Sequence, residues 1–217
     1  MTGVQPPHRY RAVVFDMDGL LLDTEVVWQA AEERLFAAHG QVFTREDKLA
    51  VIGTDFAWTA RYFAERLGRP PDDGPALVEE MVLDMYDLLQ QDVEGRPGAL
   101  ELVARLRGRL PLALASNSPR RLVDAALATA RLAEAFDVIV TSDDVERSKP
   151  APDIYLLVCE RLGVPPEHVL ALEDSSAGVA SAKAAGLACI AVPQYAETDV
   201  AAADRVIDSL EELLPEF

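Results

Sequence analysis

The sequence predicts an α/β fold in which helices cover a mostly parallel β-sheet and one connection is expanded into a helical insertion. Short apolar runs alternate with patterns of helical periodicity, as in repeated strand–helix–strand units. The runs are apolar at consecutive positions, which is typical of parallel strands buried on both faces. Strands are predicted at 12–16, 112–116, 138–141, 169–173 and 188–192, with a weaker edge strand at 205–208.

The first predicted strand is followed by the inserted unit. No strand-like run occurs between residues 24 and 92, and a simple crossover does not need a connection of this length. Helices are predicted there at 26–38, 45–52, 56–67 and 76–91, with a Gly- and Pro-rich loop at 68–75. We predict two domains: a core of residues 1–23 and 95–217, and a helical cap of residues 24–94 over the carboxyl end of the first strand.

The later strands alternate with helices, because consecutive parallel strands must be joined by a crossover. Helices are predicted at 100–107, 120–130, 153–162, 177–185 and 209–214. Each of the first four precedes a predicted strand, so the core is expected to consist of repeated units of this kind.

The charge balance excludes several classes of protein. The chain has 217 residues, of which 37 are acidic and 20 basic, and its formal net charge is −17. Since it contains no run of Lys and Arg, a nucleic-acid partner is not expected. The negative charge also disfavours an anionic membrane surface, and no apolar run approaches the ~20 residues of a membrane span.

The cysteines and residues 1–9 give an expectation about the cellular compartment of the protein. Cys159 and Cys189 lack the spacing of a metal or redox motif, and we expect both to be buried in a reducing environment. Residues 1–9 contain no apolar signal core. We therefore expect a cytoplasmic protein and, because no exposed heptad or large apolar stripe is evident, a monomer.

Polar side chains follow four of the predicted strands, at or shortly after the carboxyl end of each. Because the carboxyl ends of parallel strands share one edge of the sheet, where such folds bind ligands, these side chains should converge. They are Asp16, Asp18, Ser116, Asn117, Lys149, Glu173 and Asp174.

The acids of this set predict a metal ion and a nucleophile. Neighbouring carboxylates at a buried strand end repel each other unless a cation or a shared proton compensates. Mg²⁺ prefers oxygen ligands, and Asp16, Asp174 and the backbone carbonyl of Asp18 could supply them beside Glu173. Asp16 would then attack a phosphate to give an aspartyl-phosphate. Asp18 would protonate the leaving oxygen and later deprotonate the attacking water.

The remaining members of the set predict a phosphate site. Ser116 would donate a hydrogen bond to a phosphoryl oxygen, with Asn117 beside it. Lys149 would place a positive charge against both the nucleophile and the phosphate. The substrate is therefore expected to carry a phosphate group.

Each of these residues also has a structural interpretation. Asp16 and Asp18 could cap the turn after the first strand. Ser118, which precedes Pro119, could cap a helix, and Lys149 could be a solvated surface lysine. The acids after the fourth strand could favour the start of the next helix through its dipole. The occurrence of all these residues at successive strand ends favours the catalytic interpretation.

Four segments of the chain resemble the motifs of the haloacid dehalogenase superfamily of phosphohydrolases. They are residues 15–25, 114–117, 148–153 and 172–178. The resemblance extends over the whole chain, including the helical insertion. It implies a Rossmann-like core with a small helical cap, a Mg²⁺ ion, and phosphoryl transfer through Asp16.

Within the superfamily the chain looks most like the group that contains phosphoglycolate phosphatase and β-phosphoglucomutase. Dehalogenating members lack an acid two residues after the nucleophile, so Asp18 favours phosphoryl transfer. The cap of the mutase supplies a histidine and an arginine for a second phosphate. Trp28 and Phe56 stand at the matching positions here, and neither can pair with a phosphate; Arg61 is a possible substitute.

We therefore predict a Mg²⁺-dependent phosphatase that acts on a small phosphorylated metabolite, with a sugar phosphomutase as the alternative. A catalytically silent binding protein is a further alternative, but the nucleophile Asp16 and Lys149 are both present, which argues against it. Trp28, Phe56 and Trp58 have two interpretations, as the apolar core of the cap or as an apolar wall that faces the substrate.

Overall fold

The computed structural model describes residues 10–51, 54 and 56–217. Two sequence predictions extend outside the described residues: the last position of the helix at 45–52, and the absence of a signal core in residues 1–9. The chain forms two compact units, one made of the segment up to Asp23 together with Val93–Phe217, the other of Thr24–Asp92. Within the described residues, no helix is both long and apolar enough to cross a membrane.

The second unit, Thr24–Asp92, is helical. Its helices are α1 (Glu25–Ala38), α2 (Arg45–Val51), α3 (Phe56–Arg66) and α4 (Gly74–Leu89). A short 3₁₀ helix, Pro71–Asp73, lies in the segment that was predicted as a loop. Helices α1 and α3 both pack against α4.

The aromatic side chains of this helical unit divide into buried and part-exposed groups. The rings of Phe36 and Phe63 are fully buried and stand 5.4 Å apart. Trp28 and Phe56 are half-buried, with ring centroids 6.0 Å apart, and Trp58 is 46% exposed. Trp28, Phe56 and Trp58 therefore lie outside the buried centre of this unit, and their role toward a substrate stays a prediction.

The first unit contains a parallel sheet. Among the described residues its strands are β1 (Ala12–Phe15), β2 (Leu112–Ala115), β3 (Val138–Val140), β4 (Val169–Glu173), β5 (Ala188–Ala191) and β6 (Arg205–Val206). Their order is β3-β2-β1-β4-β5-β6, and every neighbouring pair is parallel. This is the strand order of a Rossmann-like doubly wound fold, so the predicted fold class is confirmed.

The sheet is flanked by helices α5 (Ala99–Leu106), α6 (Arg120–Thr129), α7 (Asp153–Leu162) and α8 (Ser176–Ala184). The last predicted helix forms instead as a 3₁₀ helix, Leu210–Glu216. It contains Pro215, which has no backbone N–H and disfavours an α-helical turn, so the tighter helix is the form this short segment adopts.

The central strands β1, β2 and β4 are buried along their whole length. Side chains of α7 and α8 pack on them to form one apolar cluster, which includes Val14, Ala113, Ala171, Ile154, Tyr155, Val158 and Val179. Because three adjacent strands are held in this core, the positions of their carboxyl ends are fixed relative to one another.

The chain makes a tight turn directly after β1. Gly19 has a φ of +84°, a left-handed conformation that glycine adopts without a steric penalty. Its N–H donates to the carbonyl of Leu22 at 2.9 Å. Leu22 forms an antiparallel bridge with Gly95, and the N–H of Asp23 donates to the carbonyl of Glu94 at 2.8 Å. The two links to the helical unit therefore run side by side.

Candidate active site

The carboxyl ends of β2, β1 and β4 bring the sequence-predicted residues together. Asp16 follows β1 and its N–H donates to the carbonyl of Leu172 in β4 at 3.0 Å. Ser116 follows β2 and its N–H donates to the carbonyl of Val140 in β3 at 3.1 Å. Strand hydrogen bonds thus extend up to the first site residues, which places these residues on the rigid part of the sheet.

Lys149 is buried at the centre of this site. Its Nζ donates to Asp16 Oδ1 at 2.6 Å, to Glu173 Oε1 at 2.6 Å and to the carbonyl of Ala115 at 2.8 Å, which uses all three ammonium protons. Burial alone would lower the pKa of Lys149, but Asp16 and Glu173 raise it above its usual value. Lys149 is therefore a charged, fully paired group, and the interpretation as a solvated lysine is wrong.

Glu173 is completely buried, and hydrogen bonds reach both of its carboxylate oxygens. Oε1 accepts from Lys149 and from the hydroxyl of Tyr155 at 2.5 Å. Oε2 accepts from the N–H of Asp174 at 3.2 Å and from the hydroxyl of Ser175 at 3.3 Å. A carboxylate has about four acceptor positions, so the surrounding protein satisfies this side chain.

Tyr155 on α7 is a site residue that the sequence did not reveal. Besides its bond to Glu173, its ring centroid lies 5.2 Å from Nζ of Lys149, within the range of a cation–π contact. Burial, and then the charge of Glu173, raises the pKa of the Tyr155 hydroxyl well above its usual value. The hydroxyl therefore acts as a hydrogen-bond donor that holds Glu173.

Asn117 holds the loop that carries Lys149. Its Oδ1 accepts from the N–H of Lys149 at 2.9 Å, and its Nδ2 donates to the carbonyl of Lys149 at 3.1 Å. The peptide bond from Lys149 to Pro150 is cis. The side chain of Asn117 is thus engaged with backbone, and its predicted contact with phosphate stays a prediction.

Asp18 is held by two serine hydroxyls. Its Oδ2 accepts from Ser116 Oγ at 3.0 Å and from Ser118 Oγ at 2.8 Å. The N–H of Ser118 in turn donates to Ser116 Oγ at 3.0 Å. Helix α6 is capped at Pro119 without a side-chain bond, so the interpretation of Ser118 as a helix cap is wrong.

The N-cap of helix α8 is Ser175, whose hydroxyl accepts from the N–H of Gly178 at 3.0 Å. Glu173 and Asp174 precede this cap, so the interpretation that they favour the start of the helix through its dipole stays a prediction.

Three carboxylates form a cluster that could hold a metal ion. One carboxylate oxygen from each of Asp16, Glu173 and Asp174 lies within 4.8 Å of the others. Burial raises the pKa of Asp16 to about 8, although Lys149 acts in the opposite direction. Burial and the charge of Asp16 also raise the pKa of Asp174 well above its usual value. Burial and mutual repulsion therefore disfavour the ionised forms of these carboxylates, and a bound cation would offset that cost.

Two features close to Asp174 restrict the space around it. A Cβ atom on Gly19 would lie 2.4 Å from Asp174 Oδ2, so only glycine fits there. Gln194, in the loop after β5, donates from Nε2 to the carbonyl of Gly19 at 3.0 Å. Gln194 is a second residue that sequence reasoning missed, since no motif surrounds it.

We expect that replacing Gly178 by alanine disrupts the site. Helical Gly→Ala changes ordinarily stabilise by about 1 kcal/mol, but here a Cβ would lie 1.9 Å from Oε2 of Glu173. The clash should turn the expected stabilisation into a destabilisation of about 2 kcal/mol. Displacement of Glu173 should also lower kcat about 100-fold. Denaturant unfolding and steady-state kinetics check both values.

The control for this change is Ala180→Gly, at an exposed position of the same helix. It should cost about 1 kcal/mol through helix propensity alone and leave kcat unchanged. A Gly178→Ala variant that is more stable than the parent and fully active would contradict the steric argument.

The fold and the site together define a Rossmann-like enzyme whose acidic centre lies at the carboxyl edge of the sheet. The family model described as haloacid dehalogenase-like hydrolase matches residues 10–186. The chain belongs to this family of hydrolases. The predicted class of enzyme, a phosphoric monoester hydrolase of the haloacid dehalogenase type, is confirmed by this match and by relatives that are named as phosphatases.

Similar proteins come from plants and bacteria. Fructose-1-phosphate phosphatase YqaB from Escherichia coli (strain K12) is 32% identical over 184 residues, which cover 85% of this chain and 97% of that protein. Protein SUPPRESSOR OF QUENCHING 1, chloroplastic, from Arabidopsis thaliana is 39% identical over 186 residues, or 83% of this chain. The aligned part is only 18% of that plant protein.

A solved structure shows the same fold with a bound sugar bisphosphate. It is a mutant of CbbY from Rhodobacter sphaeroides in complex with xylulose-(1,5)bisphosphate, with a TM-score of 0.85 and 32% sequence identity. The match covers 95% of this chain and 98% of that chain.

Proposed function

We propose that this protein is a Mg²⁺-dependent phosphatase that hydrolyses a small phosphorylated sugar through an aspartyl-phosphate on Asp16. The observation that carries the proposal is the buried ion pair of Asp16 with Lys149, at 2.6 Å, inside a cluster of carboxylates. A buried, paired carboxylate at the edge of the sheet is available as a nucleophile. The names of the relatives support phosphorylated sugars as the substrate class.

The carboxylate cluster fits a magnesium ion. Its donors are oxygens, which Mg²⁺ prefers, and its crowded negative charge needs a cation. We assign Asp16, Asp174 and the backbone carbonyl of Asp18 as ligands. Glu173 supports them, because its own oxygens already accept from Lys149 and other donors. When bound, the ion offsets the repulsion between the nucleophile and the substrate phosphate.

The chemical steps divide between two aspartates. Asp16 forms a bond to phosphorus while the bond from phosphorus to the leaving oxygen breaks, and Asp18 donates a proton to that oxygen. Asp18 then accepts a proton from the water that hydrolyses the aspartyl-phosphate, which restores both residues. Ser116 and Asn117 bind the phosphoryl oxygens during both steps, and Lys149, whose protons stay on protein acceptors, attracts the phosphate by its charge.

We also propose that the helical unit acts as the cap of this enzyme and selects the substrate. Its two links leave the first unit close to the turn after β1, where Leu22 bridges Gly95. The monomeric state and the cytoplasmic location stay predictions.

The test is a panel of phosphorylated sugars and other phosphate esters, with released phosphate as the readout. We expect turnover of sugar phosphates with Mg²⁺ and a loss of at least about 100-fold after chelation, restored when Mg²⁺ is added back. Isomer formation without phosphate release would support the mutase alternative instead. Turnover that survives chelation and dialysis would contradict the metal site.

A further inference from the structure

Ser118 makes a contact that its sequence position did not suggest. It lies in the segment between β2 and α6 and is only 4% exposed. Its Oγ donates to Asp18 Oδ2 at 2.8 Å, which is shorter than the 3.0 Å bond from Ser116 to the same oxygen. Because Ser118 reaches the general acid of the proposed function directly, it can influence the proton transfer.

Ser116 cannot hold Asp18 during the reaction. A serine hydroxyl has one proton to donate, and the proposed function requires that proton for a phosphoryl oxygen. When a phosphate is bound, the bond from Ser116 to Asp18 must therefore break. Of the two serine hydroxyls that donate to Asp18 Oδ2, that of Ser118 then remains in place.

The hydrogen bond from Ser118 also orients the carboxyl group of Asp18. Because Oδ2 is held by Ser118 at 2.8 Å, the group cannot rotate freely, and the proposed role of Asp18 requires one oxygen to face the leaving group. With Oδ2 held by Ser118, Oδ1 is the oxygen assigned to that role.

We propose that Ser118 is a positioning residue that holds Asp18 by Oδ2, so that Oδ1 delivers the proton to the leaving group. The inference rests on the proposed function, because it takes Asp18 as the general acid. The two serines then have different roles: the hydroxyl of Ser116 donates to the bound phosphate, whereas the hydroxyl of Ser118 continues to donate to Asp18. The N–H of Ser118 continues to hold Ser116 Oγ, as it does at 3.0 Å in the structure.

The test uses Ser118→Ala, which removes the Oγ contact and keeps the backbone N–H bond to Ser116. The Mg²⁺-loaded protein is assayed with phenyl phosphate and 4-nitrophenyl phosphate, which are similar in shape but differ in how much their leaving oxygen needs a proton. We expect kcat/KM to fall about 10-fold for phenyl phosphate and less than about twofold for 4-nitrophenyl phosphate. Equal losses on the two esters would overturn the inference.

Two further variants make the result specific. Ser118→Thr keeps a hydroxyl and should restore most of the loss on phenyl phosphate. Ser181→Ala removes another buried hydroxyl, which donates to the carbonyl of Ala151 at 2.6 Å, and should leave the ratio of the two esters unchanged. Thermal unfolding of each variant separates these effects from lost stability.

Asp18→Asn distinguishes failure of the inference from failure of the proposed function. It should show a larger selective loss on phenyl phosphate than Ser118→Ala. If Asp18→Asn affects both esters equally, Asp18 is not the general acid, and the inference falls with that assignment. If Asp18→Asn is selective and Ser118→Ala is not, the proposed function stands and Ser118 has no positioning role.

Discussion

Replacement of Asp16 by asparagine is expected to lower phosphate release by a factor of about 10⁴ or more. Asparagine has nearly the same shape, but its amide cannot attack phosphorus to form an acyl phosphate. The fold should survive, because β1 is held by buried apolar side chains along its length. Burial raises the pKa of Asp16 to about 8, so a neutral amide is also compatible with this position.

The matched control is Asp23→Asn, the same chemical change in the segment after β1. The Asp23 carboxylate is 35% exposed and lies 3.7 Å from Arg96, a distance at which a surface ion pair contributes little. Its variant should keep phosphate release within about twofold. Steady-state phosphate release and far-UV circular dichroism compare the two variants, and an Asp16→Asn protein within tenfold of the parent would exclude Asp16 as the nucleophile.

The parts of the site that were predictable are those fixed by strand ends. Parallel pairing places the end of β1 between the ends of β2 and β4, so residues distant in sequence become neighbours. Asp16, Ser116 and Glu173 could be assigned to one edge as soon as their strands were identified. Lys149 follows a strand less closely, and its position depends on the loop that Asn117 holds.

The parts that were missed depend on packing that a sequence does not encode locally. Tyr155 reaches Glu173 because α7 lies on the sheet with one particular face inward, and helix rotation cannot be derived from spacing alone. Ser118 has the sequence context of a helix cap, yet its hydroxyl bonds to Asp18. Gln194 lies in the loop after β5, where the neighbouring residues form no recognisable motif. Each contact joins segments far apart in the chain, where local propensity has no influence.

Removal of the Lys149 charge is expected to affect both stability and turnover. Lys149→Met leaves Asp16 and Glu173 buried without their cation, and such a loss costs about 3–5 kcal/mol. Phosphate release should fall about 10²–10³-fold, since a fixed positive charge is lost beside the nucleophile and the phosphate. Denaturant unfolding of the metal-free protein and phosphate release with Mg²⁺ measure the two effects.

The stability deficit of Lys149→Met should depend on pH with a defined sign. Without the lysine, the pKa of Asp16 rises further above its value of about 8 in the parent protein. Acids with a raised pKa in the folded state bind protons on folding, so stability is lost as pH rises. In the metal-free state Asp16 keeps its proton in both proteins below about pH 8, so the deficit should be nearly constant between about pH 5 and pH 7 and grow above about pH 8, where Asp16 ionises beside Lys149 in the parent but stays protonated in the variant. A deficit that does not grow above about pH 8 would show that lost packing, not unpaired charge, is its cause.

Two further variants separate charge from packing at Lys149. Lys183→Met breaks a part-exposed pair with Asp204, at 2.6 Å, and should cost about 1 kcal/mol or less with full activity. Adding Glu173→Gln to Lys149→Met removes one of the two carboxylates that lost their cation. The double variant should be more stable than Lys149→Met at pH 8, because the repulsion between Asp16 and Glu173 in the folded state is removed. It should be equally inactive, because the positive charge that acts on the phosphate is still missing.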